Sequence, residues 1–232
     1  MNTDTNNQKG NSLLITIFVV LILAVIFVSG NSKIRRWPLP KFIDNVTAAT
    51  ITASDDFESG TVSGVKWNVW TCNCSTTTTV RTNSQGGKDL ARTSTQWAGL
   101  SWIANTFSAD QFSEIQLSPD WNPNALIQVY VRRRASDVAR YAFHYDPENG
   151  LNQWQIKYDG VPTPQVRLVA TNNNYPAPKA GDSIRIEVAG SNPPTIKGLH
   201  KCAGCSNFTE VAFAVDSNAS AINTAGPPGI VS

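Results

Sequence analysis

The feature that most constrains the fold is a series of short runs after residue 55 in which apolar and polar side chains alternate. Ile127, Val129 and Val131 lie on one face of such a run, and polar side chains separate them. Four further runs alternate in the same way: residues 140–145, 154–158, 184–188 and 211–215, the last with Val211, Phe213 and Val215 on one face. Turn signals such as Asn149-Gly150 separate the runs, and helical periodicity is missing. This pattern predicts half-buried antiparallel strands, and therefore an all-β sandwich or barrel.

A continuous apolar run precedes this region. Leu13 to Val28 is broken only by Thr16, and the stretch from Ser12 to Gly30 would form a helix about 28 Å long. The hydrocarbon core of a bilayer is about 30 Å thick, so we predict a single transmembrane helix. Two alternatives remain open: a secretory signal peptide cleaved near Val28-Ser29-Gly30, and a buried helix of a soluble protein.

Composition narrows the classes of protein. A net charge of +2 and 16% charged residues argue against a nucleic-acid-binding protein, which would carry a basic domain. Two His and four Cys leave little material for a catalytic metal centre. The sequence divides into an N-terminal tail (1–11), a transmembrane anchor or signal peptide (12–30), a basic, proline-containing linker (31–52) and a β-sandwich (53–232).

The order of segments in the sandwich region resembles a known family. The segments that carry the resemblance are DDFESGTVSGVKW, DQFSEIQLS, LIQVYVRR, GDSIRIEVAGS and TAGPPGI. Together they are similar to the concanavalin A-like lectin/glucanase jelly roll, in its laminin-G-like branch, over residues 55–230. The resemblance implies an antiparallel two-sheet jelly roll with a final strand after the GPPGI turn, pairing near the first. Because the sequence ends at Ser232, we expect that this last strand is either missing or closed differently.

The catalytic residues of the enzymes in this family are not found. Glucanases of this fold carry acids on one strand in a pattern like E-I-D-x-x-E, whereas Glu114-Ile115-Gln116-Leu117-Ser118 keeps only the first acid. One carboxylate cannot perform the two-carboxylate mechanism, so Glu114 is interpreted as a solvated strand residue. His144 has Tyr141 and Arg140 nearby but no recognisable lyase motif, and is interpreted as structural. We therefore predict that the protein is not an enzyme.

Non-catalytic sugar binding requires exposed aromatic rings beside polar side chains. Trp67 and Trp154 lie on apolar faces and are expected in the core. The candidates for ligand binding lie in polar, loop-like contexts: Trp70, Trp97, Trp102 and Trp121. The leading hypothesis is a membrane-anchored surface protein whose sandwich binds a glycan or another surface protein. The alternatives are a divergent glycoside hydrolase or polysaccharide lyase, and a structural component of a cell or virion surface.

The four cysteines form two short clusters, Cys72-x-Cys74 and Cys202-x-x-Cys205. A bond within Cys72-x-Cys74 would be strained, so we predict two disulfides that link one cluster to the other. A tetrahedral zinc site is the alternative, which gains weight if the domain is cytoplasmic.

No cofactor is required, but the resemblance implies one weak metal site. Asp55, Asp56 and Glu58 lie where many relatives hold a structural Ca²⁺, with a partner acid normally supplied by the last strand. Arg132–Arg134 is interpreted as a strand end with solvated charges.

The orientation of the membrane segment is contested. The basic residues after it, Lys33, Arg35, Arg36 and Lys41, would keep the following domain in the cytoplasm by the positive-inside rule. Four N-x-S/T sequons, which are candidates for glycosylation, favour the opposite side: Asn45, Asn73, Asn207 and Asn218. Because the family is mostly extracytoplasmic, we expect the sandwich outside the membrane.

Overall fold

A computed structural model describes residues 53–71, 78–92, 98–136, 138–147, 152–159 and 167–231. The predicted anchor and linker lie outside the described residues, as does Asn45. Within the described residues, no helix combines the length and apolar character that crossing a membrane requires.

The described part of the chain is all-β, and every strand pairing in it is antiparallel. One sheet has seven strands, in the order β1 (Trp67–Thr71), β4 (Ala98–Trp102), β13 (Gly229–Val231), β6 (Ile127–Val131), β7 (Arg140–Asp146), β8 (Gln153–Asp159) and β9 (Arg167–Asn172). A second sheet has four, in the order β12 (Thr209–Val215), β11 (Thr195–Lys201), β10 (Ser183–Ala189) and β5 (Gln111–Gln116). The strands β2 (Thr78–Thr82) and β3 (Lys88–Arg92) form a separate hairpin.

The hydrophobic core lies between the two larger sheets. The alternating residues predicted to face inward on β6, β7, β8 and β10 do so: Val129, Phe143, Ile156 and Ile186 are fully buried. Trp154 is fully buried, as predicted, and its ring stacks on Phe143 at a centroid distance of 5.1 Å. Removal of this apolar surface from water is the main force that holds the sheets together.

The strand β13 brings the GPPGI segment into the seven-stranded sheet. It pairs with β4 on one side and β6 on the other, so that β4 alone separates it from β1. Gly229 permits this approach, because a Cβ at this position would lie 2.0 Å from the carbonyl oxygen of Leu100. A strand after this turn, close to the first strand, is therefore present at Gly229–Val231.

The interpretation of Arg132–Arg134 as a strand end with solvated charges is wrong for Arg132. Its side chain is fully buried, directly after the end of β6. The residue has a φ of 53°, in the left-handed region, which turns the chain away from the direction of the strand. Its guanidinium group then satisfies backbone carbonyl groups of three loops, which explains why a charged side chain can be buried here.

Candidate binding surface

The structure changes the set of aromatic candidates. Trp102 was expected in a loop, but it lies on β4, is 7% exposed, and contacts the Trp67 ring edge-on at 4.9 Å. A ring buried in this way cannot stack on a sugar. Trp121 is partly buried and packs against the core. Trp70 lies on β1, where its side chain is not described, and Trp97 lies outside the described residues.

An aromatic side chain that the sequence placed in the core is exposed instead. Phe213 and Val215 on β12 are each 49% exposed, whereas Val211, Ala212 and Ala214 are buried. The cause is a β-bulge: Gly198 pairs with Ala212 and Leu199 with Glu210, so Val211 has no partner on β11. One extra residue reverses which side chains face the core beyond it. The expectation that Val211, Phe213 and Val215 share a buried face was therefore wrong.

Phe213 begins a row of side chains that crosses the outer face of the four-stranded sheet. In register, Phe213 lies opposite Lys197, Lys197 opposite Glu187, and Glu187 opposite Phe112. Three strand spacings make this row about 14 Å long. Lys197 also forms an ion pair with Glu210 at 3.4 Å. We call the surface formed by Phe112, Glu187, Lys197, Glu210, Phe213 and Val215 the Phe213 face.

Glu114 lies beside this face, in a salt bridge. Its Oε2 accepts hydrogen bonds from Arg185 Nε at 3.0 Å and from Arg185 Nη2 at 2.5 Å. Arg185 also pairs with Glu187 at 3.1 Å, and its guanidinium lies over the rings of Phe112 and Phe208, at 4.7 and 4.2 Å from their centroids. Glu114 is therefore tied to a positioned cation, which is the arrangement of an ion pair rather than of a general acid.

His144 is buried on the second face of the seven-stranded sheet, with 2% exposure. Its Nε2 lies 2.9 Å from Gln155 Oε1. Burial, and then the charge of Lys157, lower the pKa of His144 to about 4, so the ring is neutral near pH 7. Tyr141 points to the opposite side, into the core, where its hydroxyl donates to Asp216 Oδ2 at 2.7 Å. The sequence neighbours His144 and Tyr141 therefore do not form one site.

A different histidine lies in a hydrogen-bonded chain that sequence reasoning missed. His200 Nε2 lies 2.8 Å from Asp182 Oδ2, and His200 Nδ1 lies 3.2 Å from the hydroxyl of Tyr175. A carboxylate only accepts, so Nε2 donates, and in the neutral ring Nδ1 accepts from Tyr175. No local motif marks this chain, because its members are 18 and 25 residues apart.

Asp182 is held by more than His200. Its oxygens also accept from the backbone N–H groups of Lys179 at 2.8 Å and Ala203 at 2.7 Å. Burial raises the pKa of Asp182. Hydrogen bonds from these two N–H groups and from His200 lower the pKa by a larger amount, so it lies below its usual value. The carboxylate therefore anchors two loops at one end of the sandwich.

The proposed calcium ligands each make other contacts. Asp55 Oδ2 accepts from Trp67 Nε1 at 2.9 Å, and its Oδ1 accepts from the Phe57 N–H at 3.0 Å. Glu58 Oε1 accepts from the Lys88 N–H at 3.1 Å, and Asp56 Oδ1 accepts from the Glu58 N–H at 3.1 Å. In the parts of the chain described, no three His, Cys, Asp or Glu side chains form a group that could hold a metal ion. Calcium binding stays a prediction without added support.

The predicted link between the cysteine clusters was wrong for the second cluster. Cys202 bonds to Cys205 within the CAGC turn, with the two Cα atoms 5.3 Å apart, in the ordinary range for a disulfide. The Cys205 N–H donates to the Cys202 carbonyl at 2.9 Å, and Gly204 has a φ of 78°, so this turn brings the two cysteines together. Cys72 and Cys74 lie outside the described residues.

Two glycosylation candidates can be placed on the surface. Asn207 and Asn218 are both exposed. Asn73, like Asn45, lies outside the described residues. Glycosylation stays a prediction at all four positions.

Comparison with known proteins does not identify a function for this chain. No protein-family model matches the sequence, and no curated protein matches it. Among solved structures, a carbohydrate-binding module, CBM66 from Bacillus subtilis, is similar, with 15% sequence identity and a TM-score of 0.45. The match covers 68% of this chain and 86% of that chain. The function of this chain therefore has to be inferred from its own surface.

Proposed function

We propose that the protein is a non-catalytic binding protein, whose sandwich is of the jelly-roll type and takes a glycan on the Phe213 face. The observation that carries the proposal is the exposure of Phe213. Among the residues whose side chains the structure describes, Phe213 is the only aromatic residue that is exposed to solvent. A bulge places this ring outward, and bulges often occur where a fold redirects a side chain for function.

The neighbours of Phe213 suit a sugar. The C–H face of a pyranose packs on an aromatic ring, while its hydroxyl groups need donors and acceptors at the ring's edge. Lys197 and Glu210 supply both, and their ion pair is solvent-exposed and therefore of little energetic value in itself. Replacement of the Lys197–Glu210 ion pair by hydrogen bonds to sugar hydroxyl groups would therefore cost little free energy. A row about 14 Å long has room for more than one sugar unit.

A glycan array with the full chain in detergent micelles tests the proposal. We expect Phe213→Ala to weaken binding to any positive glycan about tenfold, because an aromatic stacking contact contributes about 1 kcal/mol or more. Val65→Ala is the matched control, since Val65 is 81% exposed and lies outside the four-stranded sheet. Unchanged affinity in Phe213→Ala, or an equal loss in Val65→Ala, would contradict glycan binding on this face.

The alternative of a glycoside hydrolase or polysaccharide lyase is favoured by one observation, the Tyr175–His200–Asp182 chain, because a hydrogen-bonded Tyr and His can transfer protons. Incubation with a polysaccharide panel separates the two functions. Released reducing ends or unsaturated products that disappear in Tyr175→Phe or Glu114→Gln would replace the binding proposal. We expect none, because Glu114 is held in an ion pair by Arg185.

We further propose that residues 12–30 anchor the protein in a membrane, with the sandwich on the extracytoplasmic side. The apolar run supports the anchor, and the sequons at the exposed Asn207 and Asn218 support the extracytoplasmic side. Protease protection in intact membranes tests the orientation: an accessible sandwich agrees with it, and a protected sandwich contradicts it.

If glycan arrays are negative but a stable complex is recovered, the third hypothesis, a structural component of a cell or virion surface, replaces sugar binding.

A further inference from the structure

The disulfide in the CAGC turn is positioned unlike one that stabilises a fold. Both Cys202 and Cys205 are exposed, and they close a ring within one turn between β11 and β12. These two strands are already paired along their length. A bond across three residues restricts the unfolded chain far less than one across a long loop, so its contribution to global stability is small.

The turn is instead coupled to the buried Asp182. The Ala203 N–H, inside the disulfide ring, donates to Asp182 Oδ1 at 2.7 Å. The other carboxylate oxygen holds His200, which in turn contacts Tyr175. The ring also packs on the turn before β10, since a Cβ at Gly181 would lie 3.2 Å from the Cβ of Ala203. The conformation of the ring therefore determines whether the Asp182 carboxylate keeps one of its donors.

We propose that Cys202–Cys205 is a site of thiol–disulfide exchange, at which a dithiol reductant opens the ring and releases the Ala203 N–H from Asp182. A thiolate of the reductant attacks one protein sulfur, the S–S bond breaks, and a mixed disulfide forms. The second thiol of the reductant then displaces the protein sulfur. Two electrons and two protons pass to the protein, which gains two thiols, and the reductant leaves as a disulfide.

The exposed position of Cys202 and Cys205 makes their disulfide accessible to an external thiolate. Exposed disulfides are the reducible ones, because exchange requires in-line access of a thiolate to sulfur. Cys202 directly follows a strand, whereas the reactive cysteines of catalytic CxxC motifs are activated at helix N-termini. The partner chemistry is therefore that of an external dithiol, for which dithiothreitol is the probe.

The sequence provides a specific readout for this pair of cysteines. Lys201 precedes Cys202, so trypsin cleaves between them and yields a peptide that begins at Cys202 and carries Cys205 but neither Cys72 nor Cys74. The full chain in detergent is treated with dithiothreitol under native conditions and alkylated. We expect two alkyl groups on this peptide while near-UV circular dichroism still reports a folded protein.

Hydrogen exchange then tests the coupling. Reduction is expected to accelerate exchange of the Ala203 amide about tenfold, since its acceptor is lost, while exchange in β6 and β7 stays unchanged. The double variant Cys202→Ser, Cys205→Ser should show the same fast exchange without reductant. Three results would overturn the proposal: alkylation only after global unfolding, unchanged Ala203 exchange after reduction, or failure of the double variant to fold.

Discussion

One guanidinium group, that of Arg132, joins three segments that lie far from it in the sequence. Its Nε donates to the carbonyl of Ala109 at 2.7 Å, Nη1 to Ile222 at 2.6 Å and Nη2 to Gly190 at 2.6 Å. Burial lowers the pKa of Arg132, while Tyr141 and Asp110 raise it. An arginine keeps its charge under such conditions, and its planar group reaches several acceptors at once.

Replacement of Arg132 by Met tests this role. Met fills part of the volume but leaves three carbonyl groups without donors, and each unsatisfied buried group costs about 1–3 kcal/mol. We expect the free energy of unfolding, measured by urea denaturation, to fall by about 3 kcal/mol. Arg81 on β2 is exposed, so Arg81→Met should change stability by less than about 0.5 kcal/mol. Equal stability of the two variants would show that Arg132 does not join these segments.

At the scale of single elements, the bulge between β11 and β12 decides what the four-stranded sheet presents to solvent. It lies at Gly198, where a Cβ would be 2.3 Å from the ring of Phe143 on the other sheet. Glycine therefore lets the aromatic ring pack against the backbone of β11. The bulge that exposes Phe213 and this close packing inside the core therefore occur at the same residue.

The substitution Gly198→Ala tests the contact. The added methyl group must displace the Phe143 ring, and such overpacking costs about 1–3 kcal/mol. Gly64→Ala is the control, because nothing lies within 4 Å of the Cβ position there. In a double-mutant cycle, Phe143→Leu should recover part of the loss caused by Gly198→Ala, because the smaller side chain makes room. Additive losses would argue against direct contact between the two residues.

The bulge also explains where the sequence was informative and where it was not. Alternation identified β6, β7, β8 and β10, whose inward residues are large and apolar and whose residues on the other face are mostly polar. On β12 the sequence VAFAV is apolar on both faces, so the sequence does not determine which face is buried. In the structure the core takes Ala212 and Ala214, and Phe213 faces solvent. Trp102 was assigned to a loop although Leu100 and Ile103 are close to it in sequence, because β4 is fixed by β1 and β13, and β13 is distant along the chain.

At the scale of the whole molecule, the middle of the seven-stranded sheet, at β6 and β7, is buried on both faces. Tyr130 and Ala142 are fully buried on its second face, beside His144. Cross-strand register aligns Gln128, His144 and Gln155 in one row on β6, β7 and β8. At His144, which is buried there, a charged imidazolium could not be hydrated. Protonation of His144 therefore opposes folding of the entire sandwich.

The pH dependence of stability follows from the pKa of His144. The value is about 4 in the folded state and 6.5 for an unperturbed histidine, so between these values the unfolded chain binds a proton that the folded chain does not. Stability then rises with pH across this window and is lost as the pH falls from about 6.5 to about 4. At about 1.4 kcal/mol per pKa unit, the total is about 3 kcal/mol.

Urea denaturation of the wild type and of His144→Gln at several pH values measures this contribution. Glutamine can keep a hydrogen bond to Gln155 without a titrating ring, so the variant should lose much less stability between pH 6.5 and pH 4. Asp182 provides an internal comparison, because its lowered pKa places its own effect below its unperturbed value of 3.8. Its stabilising contribution is complete above that value, and falls away at lower pH in both proteins. Parallel stability curves for the wild type and His144→Gln between pH 6.5 and pH 4 would exclude His144 as the source of acid sensitivity.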